Sequence, residues 1–383
     1  MAPTGLMRAS SRVKQRTVWI GAVSTAAVST AALAWTSLAS ARPMDPALSR
    51  LVVDARCQTD AAVACVPDRA AYTKLVSQLG AALAPHAPHA ARTTGLGGFD
   101  VSLLGAITSI DSGADYWRRG TLGSAAAAAE NDDPEPYLQL YTLELRKGFG
   151  FGIEAAASLG LMPHTSLLSW GADVRVALLE GMRHGLWRYL PDTSLGGSWR
   201  RATGLGELAL GTLALDARFS HPFTSPLGFS VTPWLGYQWV RIDAGSELVD
   251  LTPRVGALEA CDYVGNAVPG SPGSLEAEGA LPASGAPAAS LDGSPLCRAS
   301  GADLQNTASF GDVAVHRHRV LVGASYRREP LRIGAQLETD LVRPDAAQSD
   351  SDVSRALRCD ASGANCRASP RQWSVVLEVG ASF

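Results

Sequence analysis

The chain has 383 residues, 46% hydrophobic and 7% aromatic, with a formal net charge of −3. That length allows two or three soluble domains or one large barrel with loops, and the mild acidity gives no support to nucleic-acid binding. Beyond residue 40 no stretch is long and apolar enough to cross a bilayer as a helix, so any membrane passage falls to strands.

Residues 1–41 read as a secretory signal peptide. The basic residues Arg8, Arg12, Lys14 and Arg16 precede Val18 to Trp35, a stretch rich in Ala, Val, Ser and Thr. The small-x-small site Ala39-Ser40-Ala41 follows. Its Ser and Thr content weighs against an uncleaved anchor helix. Removing the leader takes the formal charge from −3 to −7. The six cysteines fall into three local pairs: Cys57 with Cys65, Cys261 with Cys297, and Cys359 with Cys366. Six cysteines admit fifteen connectivities, and the low entropic cost of short loops favours the local ones. An even count in an exported chain suits an oxidising compartment, and zinc-type C-x2-C pairs are absent.

Residues 42–94 differ in pattern from the remainder of the chain. In PDRAAYTKLVSQLGAALA, Pro67 to Ala84, the residues Tyr72, Leu75, Val76, Leu79 and Leu83 share one helical face, with Pro67 placed as a first helical residue. The segment is too short to hold a core of its own. It reads as a disulfide-stapled helical element, either a periplasmic extension or a plug in a barrel lumen.

From Gly98 onward the period is two. Phe99, Val101, Leu103 and Ile107 form the first apolar face. Tyr141, Leu143 and Leu145 turn at Lys147-Gly148 into Ile153, Ala155, Ala157 and Leu159. Leu168, Trp170, Ala172, Val174 and Val176 repeat the scheme. LPDTSLGGSWRRA is the weakest strand and pairs in sequence with ELALGTLALDARFS. In LGFSVTPWLGYQWVRI the greasy face is Phe229, Val231, Leu235, Tyr237 and Trp239, and Pro233 on that face counts against an ordinary central strand. A hairpin over Arg319 to Val342 and the terminal run RQWSVVLEVGASF complete about ten strands, within a range of about eight to twelve.

With Phe383 taken as periplasmic, the long connections 109–135, 244–311 and 343–371 all fall on the outer side, and the short turns fall on the inner side. Residues 264–296 are low-complexity Gly, Pro, Ala and Ser. The charged alternates Glu144, Arg146, Glu154, Asp173, Arg175, Asp216, Arg218, Arg332, Glu338 and Glu378 would face solvent in a sandwich and the lumen in a membrane barrel. The leader, the loop parity and the outward aromatics Trp170, Tyr237, Trp239 and Tyr326 favour the membrane. The expected fold is an all-β, antiparallel, up-and-down transmembrane barrel over residues 95–383, with a short N-terminal helical extension.

WSVVLEVGASF resembles the C-terminal signature of bacterial outer-membrane β-barrel proteins, through Val375, Leu377, Val379 and Phe383. Ala381 departs from the pattern, where a larger residue is usual. The resemblance implies an outer-membrane location and recognition of the terminal strand by the barrel-assembly machinery. Outer-membrane lipid is then the surrounding partner.

The candidate chemistry is sparse. His316 and His318 in VHRHR share a strand face and could bind a metal or respond to pH. No third ligand accompanies them, and polar residues belong at a strand's outer end in any case. Ten-stranded outer-membrane proteases place Asp and His pairs at the outer rim. Asp243, Asp312, His316 and His318 could be so arranged, but the expected pairings are not at matching places. No catalytic motif, cofactor loop or metal set is present, so the expectation is a non-enzyme without cofactors. The leading function is a narrow porin-like passive channel for a small solute, or a structural barrel. The alternative is surface adhesion or recognition through the long loops.

Overall fold

The computed structural model describes residues 42–58, 63–124, 130–181, 190–252, 307–344 and 369–383, together with the backbone of 261–263, 295–297 and 345–347. Ten long strands form the wall: β1 (Phe99–Ser109), β2 (Tyr137–Gly148), β3 (Ile153–Leu161), β4 (Leu168–Leu179) and β5 (Asp192–Thr203), then β6 (Leu208–Ser220), β7 (Ser230–Ser246), β8 (Val313–Arg328), β9 (Leu331–Asp340) and β10 (Trp373–Ser382). Each pairs antiparallel with its sequence neighbour. The ladder closes where β10 pairs with β1, with Leu103 opposite Val379 and Ile107 opposite Val375. Closure removes the unpaired edges that an open sheet leaves exposed. The fold is the ten-stranded antiparallel barrel expected from the alternation.

Side chains alternate across this wall. The outward positions form an apolar belt: Leu103, Tyr141, Leu143, Leu145, Leu159, Val174, Leu195, Leu213, Leu215, Leu235, Val322, Ile333, Leu337 and Leu377 are exposed, without a charge among them. Aromatic rings gather at both rims of the belt. Tyr137 packs on Trp373 and Trp170 on Trp199 toward the long loops, and Phe229 stacks on Tyr326 near the short turns. A greasy band between aromatic girdles is the outside of a barrel solvated by lipid, and a soluble sheet would cover it with another layer.

Pro233 sits in the continuous strand β7. Its carbonyl accepts from the His221 N–H, so its missing donor points toward β6 just beyond Ser220, the last β6 residue paired there. The sheet loses no rung, which is how a proline fits a strand that the sequence pattern alone marks as irregular.

The segment before β1 runs inside the wall. Helix α1 (Arg69–Leu83) is capped by Asp68, whose carboxylate accepts from the Ala71 N–H at 2.9 Å. Pro67 therefore lies one residue before the cap and is not the first helical residue. The short helix α2 (Asp115–Arg118) lies in the long loop after β1. Cys57 and Cys65 are bonded, with sulfurs 1.98 Å apart. Cys261 and Cys297 stand directly opposite in a two-stranded ladder described as backbone, while Cys359 and Cys366 lie outside the described residues. Most of 264–296 lies outside them too.

Placing a charge in the middle of the belt tests the wall's orientation. Leu143→Arg should lower the unfolding free energy in lipid vesicles by about 2–4 kcal/mol, and Gln139→Arg near the rim by about 0–1 kcal/mol. Denaturant titration of the reconstituted chain measures both, and equal small effects would contradict a lipid-facing belt.

Candidate functional site

The lumen is the site that the fold builds, and it has two storeys. Toward the long loops the inward residues are apolar: Leu104, Ala106, Leu138, Leu140, Leu210, Val240, Ile242, Val313, Val315 and Val376 are all buried. They form one cluster with Tyr72, Leu75, Val76, Leu79 and Leu83 of α1. The helix touches β1 and β2 on one side and β6 and β7 on the other, so it stands across the lumen. Each fully buried Leu or Val contributes about 1.5–3 kcal/mol.

Polar residues fix the helix in place. Gln78 is completely buried: its amide donates to the Tyr116 hydroxyl at 2.8 Å, and its carbonyl accepts from Trp117 Nε1 at 2.7 Å and from the Asp111 N–H at 3.0 Å. Burial, and then the Asp111 charge, push the Tyr116 phenol above its ordinary pKa. Tyr72 packs against Phe310 with ring centroids 5.0 Å apart, so the loop before β8 roofs the helix. Residues 42–58 lie at the same end. Ala47 N–H donates to Gly120 carbonyl at 2.9 Å, Met44 N–H to His164 carbonyl at 2.9 Å, and Arg50 to the carbonyls of Thr121 and Leu122.

The last turn of α1 points a free carbonyl at a cation. Arg319 donates to the Ala81 carbonyl at 2.9 Å. Arg317 donates to the Ser77 carbonyl and hydroxyl at 3.1 and 2.9 Å. Arg319 thus satisfies a carbonyl of the helix end, which carries partial negative charge, while Arg317 grips the side of the helix one turn earlier. Arg317 also pairs with Asp340 at 2.6 Å, with both side chains fully buried.

Below the helix, the run APHAPHAAR (Ala84–Arg92) descends through the charged storey without helix or strand. Prolines cannot donate to a ladder, so its carbonyls are met by side chains. Gln238 donates to Pro85 carbonyl at 3.0 Å, and Arg218 donates to the carbonyls of Ala87 and His89. His86 sits 2.9 Å from Glu338. Lower still, Ser220 accepts from the Ala91 N–H at 3.1 Å and Glu154 from the Thr94 N–H at 2.7 Å.

The ten charged alternates face this space; eight pair with one another, Asp173 pairs with Arg200, and Glu338 pairs with Arg319. Arg146 contacts Glu144 and lies 3.4 Å from Glu154 and 3.9 Å from Glu378. Arg332 joins Glu378 to Asp100, Arg175 and Arg218 share Asp216, and Asp173 pairs with Arg200 at 2.8 Å. Asp100, Arg200, Arg317, Arg319 and Asp340 join this network from outside the ten. Strand parity finds four of them once the register is known, while the adjacent Arg200 and Arg201 leave the choice open. Among the described residues, one cavity of about 270 Å³ lies at the short-turn mouth and one of about 250 Å³ under the loop at 130–135.

His316 and His318 face away from the lumen. His318 meets the Tyr237 hydroxyl, and His316 packs on Trp239 with centroids 5.4 Å apart. Asp243 is exposed and paired with Arg241 at 2.8 Å. Asp312 is exposed beside Gly245. These four do not assemble a pocket. Val375, Leu377 and Val379 lie on the outward face of β10, and the Phe383 N–H donates to the Phe99 carbonyl at 2.8 Å across the closing seam.

Gly80 reports the closeness of helix and wall. A Cβ there would lie 2.3 Å from Ile242 Cγ2. Gly80→Val should therefore cost about 1–3 kcal/mol through overpacking. Combined with Ile242→Ala, the loss should shrink by at least half relative to additivity, measured as a double-mutant cycle in reconstituted protein. Strict additivity would place the helix away from β7.

No protein-family model matches the sequence, and neither does any curated protein. Solved structures give distant likenesses. Ail, the attachment invasion locus protein of Yersinia pestis, has 10% identity over 75% of this chain and 99% of that one, with a TM-score of 0.23. Omp33 of Acinetobacter baumannii has 6% identity over 75% and 98%, with a TM-score of 0.22. The outer-membrane protease OmpT of Escherichia coli has 8% identity over 75% and 95%, with a TM-score of 0.22. The closed ladder, the apolar belt and the polar-charged lumen carry the assignment themselves: the chain is an outer-membrane β-barrel protein.

Proposed function

We propose that this protein is a non-conducting, non-catalytic outer-membrane barrel that acts at its long-loop end as a surface recognition platform. The observation that supports this reading is the filled lumen. Helix α1 and the run below it occupy the space that a passive channel would leave to water, and the charges of the lower storey are spent on one another and on backbone carbonyls. The short turns then lie in the periplasm and the long loops outside the cell. There the N-terminal residues 42–58 brace the loops after β1 and β3, giving recognition a rigid base. Asp111, Asp115, Asp132, Asp133 and Glu135 are exposed on the first of these loops, which favours a cationic partner over a polyanion.

Planar-bilayer recording with the full chain should give no discrete current steps. Stable steps that persist at low voltage would restore the porin-like reading. Combining Asp115→Asn, Asp132→Asn, Asp133→Asn and Glu135→Gln on the first long loop should weaken binding of expressing cells to a cationic polypeptide surface while leaving the barrel's heat-dependent gel shift intact. Unchanged adhesion would move recognition away from that loop.

A further inference from the structure

The outward face is not uniform around the long-loop rim. On β1, β2, β3 and β4 the outward residues at that level are Ser109, Tyr137, Gln139, Leu161 and Leu168, and none is charged, while on β10 the exposed Arg371 follows Trp373 toward the loops. The sector from β5 to β9 is different. Ladder pairing sets Trp199, Leu213, Arg241 and His316 in one outward row. Arg201, Gly211, Asp243 and Ala314 form the row toward the loops, and Trp239 and His318 lie in the row toward the membrane centre. Just past β9, where the Leu341 N–H meets the His318 carbonyl, Arg343 is exposed.

Strands lie about 4.8 Å apart and same-face residues about 7 Å apart along a strand, so this patch is roughly 20 Å wide and two to three rows deep. Arg201 and Arg343 have no ion-pair partner among the described residues. Arg241 is held by Asp243, the one acid whose side chain is described in these rows; Asp345 stands across from His316 on the backbone. Gly211 and Ala314 keep the upper row low between the longer side chains. Trp199 lies within the patch, and Trp239 and Tyr237 follow toward the membrane centre, ring types that sit at headgroup level.

We infer that this sector binds the phosphate-bearing headgroup of a lipid in the leaflet on the long-loop side. Arg201, Arg241 and Arg343 supply the charge, and His316 and His318 supply further N–H donors. Guanidinium forks match phosphate oxygens, and cations at a membrane rim gain from anionic headgroups while their stems stay in the apolar zone. The acyl chains would run down Leu213, Leu215, Val320 and Val322. Headgroup binding here is independent of what the loops recognise, because it belongs to the barrel wall.

The test uses the full chain in neutral detergent, titrated with bisphosphorylated lipid A, with the same lipid dephosphorylated, and with phosphatidylcholine, and read by native mass spectrometry. The parent should hold the bisphosphorylated lipid at least tenfold more tightly than the dephosphorylated form. The combined Arg201→Gln, Arg241→Gln and Arg343→Gln variant should lose that difference, whereas Lys147→Gln with Arg328→Gln, at the short-turn rim, should keep it. Should the triple variant lose its heat-dependent gel shift, Arg201→Gln alone should still weaken binding at least threefold. Equal binding of the two lipid A forms by the parent, or undiminished binding by the Arg201→Gln variant, would overturn the inference.

Discussion

The structure depends on the contact between helix α1 and the inner wall of the barrel. A closed ladder satisfies every backbone group within it, but it also creates an interior that must be filled by water, by side chains or by another segment. Here the upper half of the wall turns Leu, Val and Ile inward, which water would solvate poorly. The helix covers those residues, and they in turn bury Tyr72, Leu75, Val76, Leu79 and Leu83. The hydrophobic core of this membrane protein therefore lies inside the barrel and resembles that of a soluble domain, while lipid solvates the outside.

The charged storey arises from the same occupancy. A helix that ends inside a barrel leaves carbonyls without partners, and a proline-rich exit adds more. Arg319 and Arg218 donate to these carbonyls, and Arg317 holds Ser77 on the helix side. Asp340, Glu338 and Asp216 in turn hold those guanidiniums. Removing one member of such a buried set leaves its partner desolvated and unpaired, so the network locks the segment's register more than it adds net stability. The lumen is thereby occupied, and the loops and outward cations at the rims are what meet the surroundings.

Much of the wall was legible in the sequence because period-two alternation is strong when one face meets lipid. Tyr141, Leu143 and Leu145 against Thr142, Glu144 and Arg146 leave one strand reading, and loop lengths orient the ends. The lumen was less legible. The apolar stripe of α1 marked a helix, yet it could not say what covered it. The decisive residues are the polar ones on its other sides: Ser77, Gln78 and Gly80 are buried against Arg317, Tyr116 and Ile242, and each partner is remote in sequence. Pro67 looked like a first helical residue because that position tolerates proline, whereas Asp68 supplies the cap and moves the start to Arg69. His316 and His318 share a strand face, but strand parity turns that face outward while the neighbouring Arg317 and Arg319 reach the helix.

The most direct test of the filled lumen is hydrogen exchange of the α1 amides in the full chain reconstituted in lipid, followed by mass spectrometry. Burial inside a closed barrel predicts that the peptide spanning residues 69–83 exchanges as slowly as peptides from β6 and β7. Exchange of that peptide at the rate of a free chain, with the strands still protected, would contradict it and leave an open, water-filled barrel.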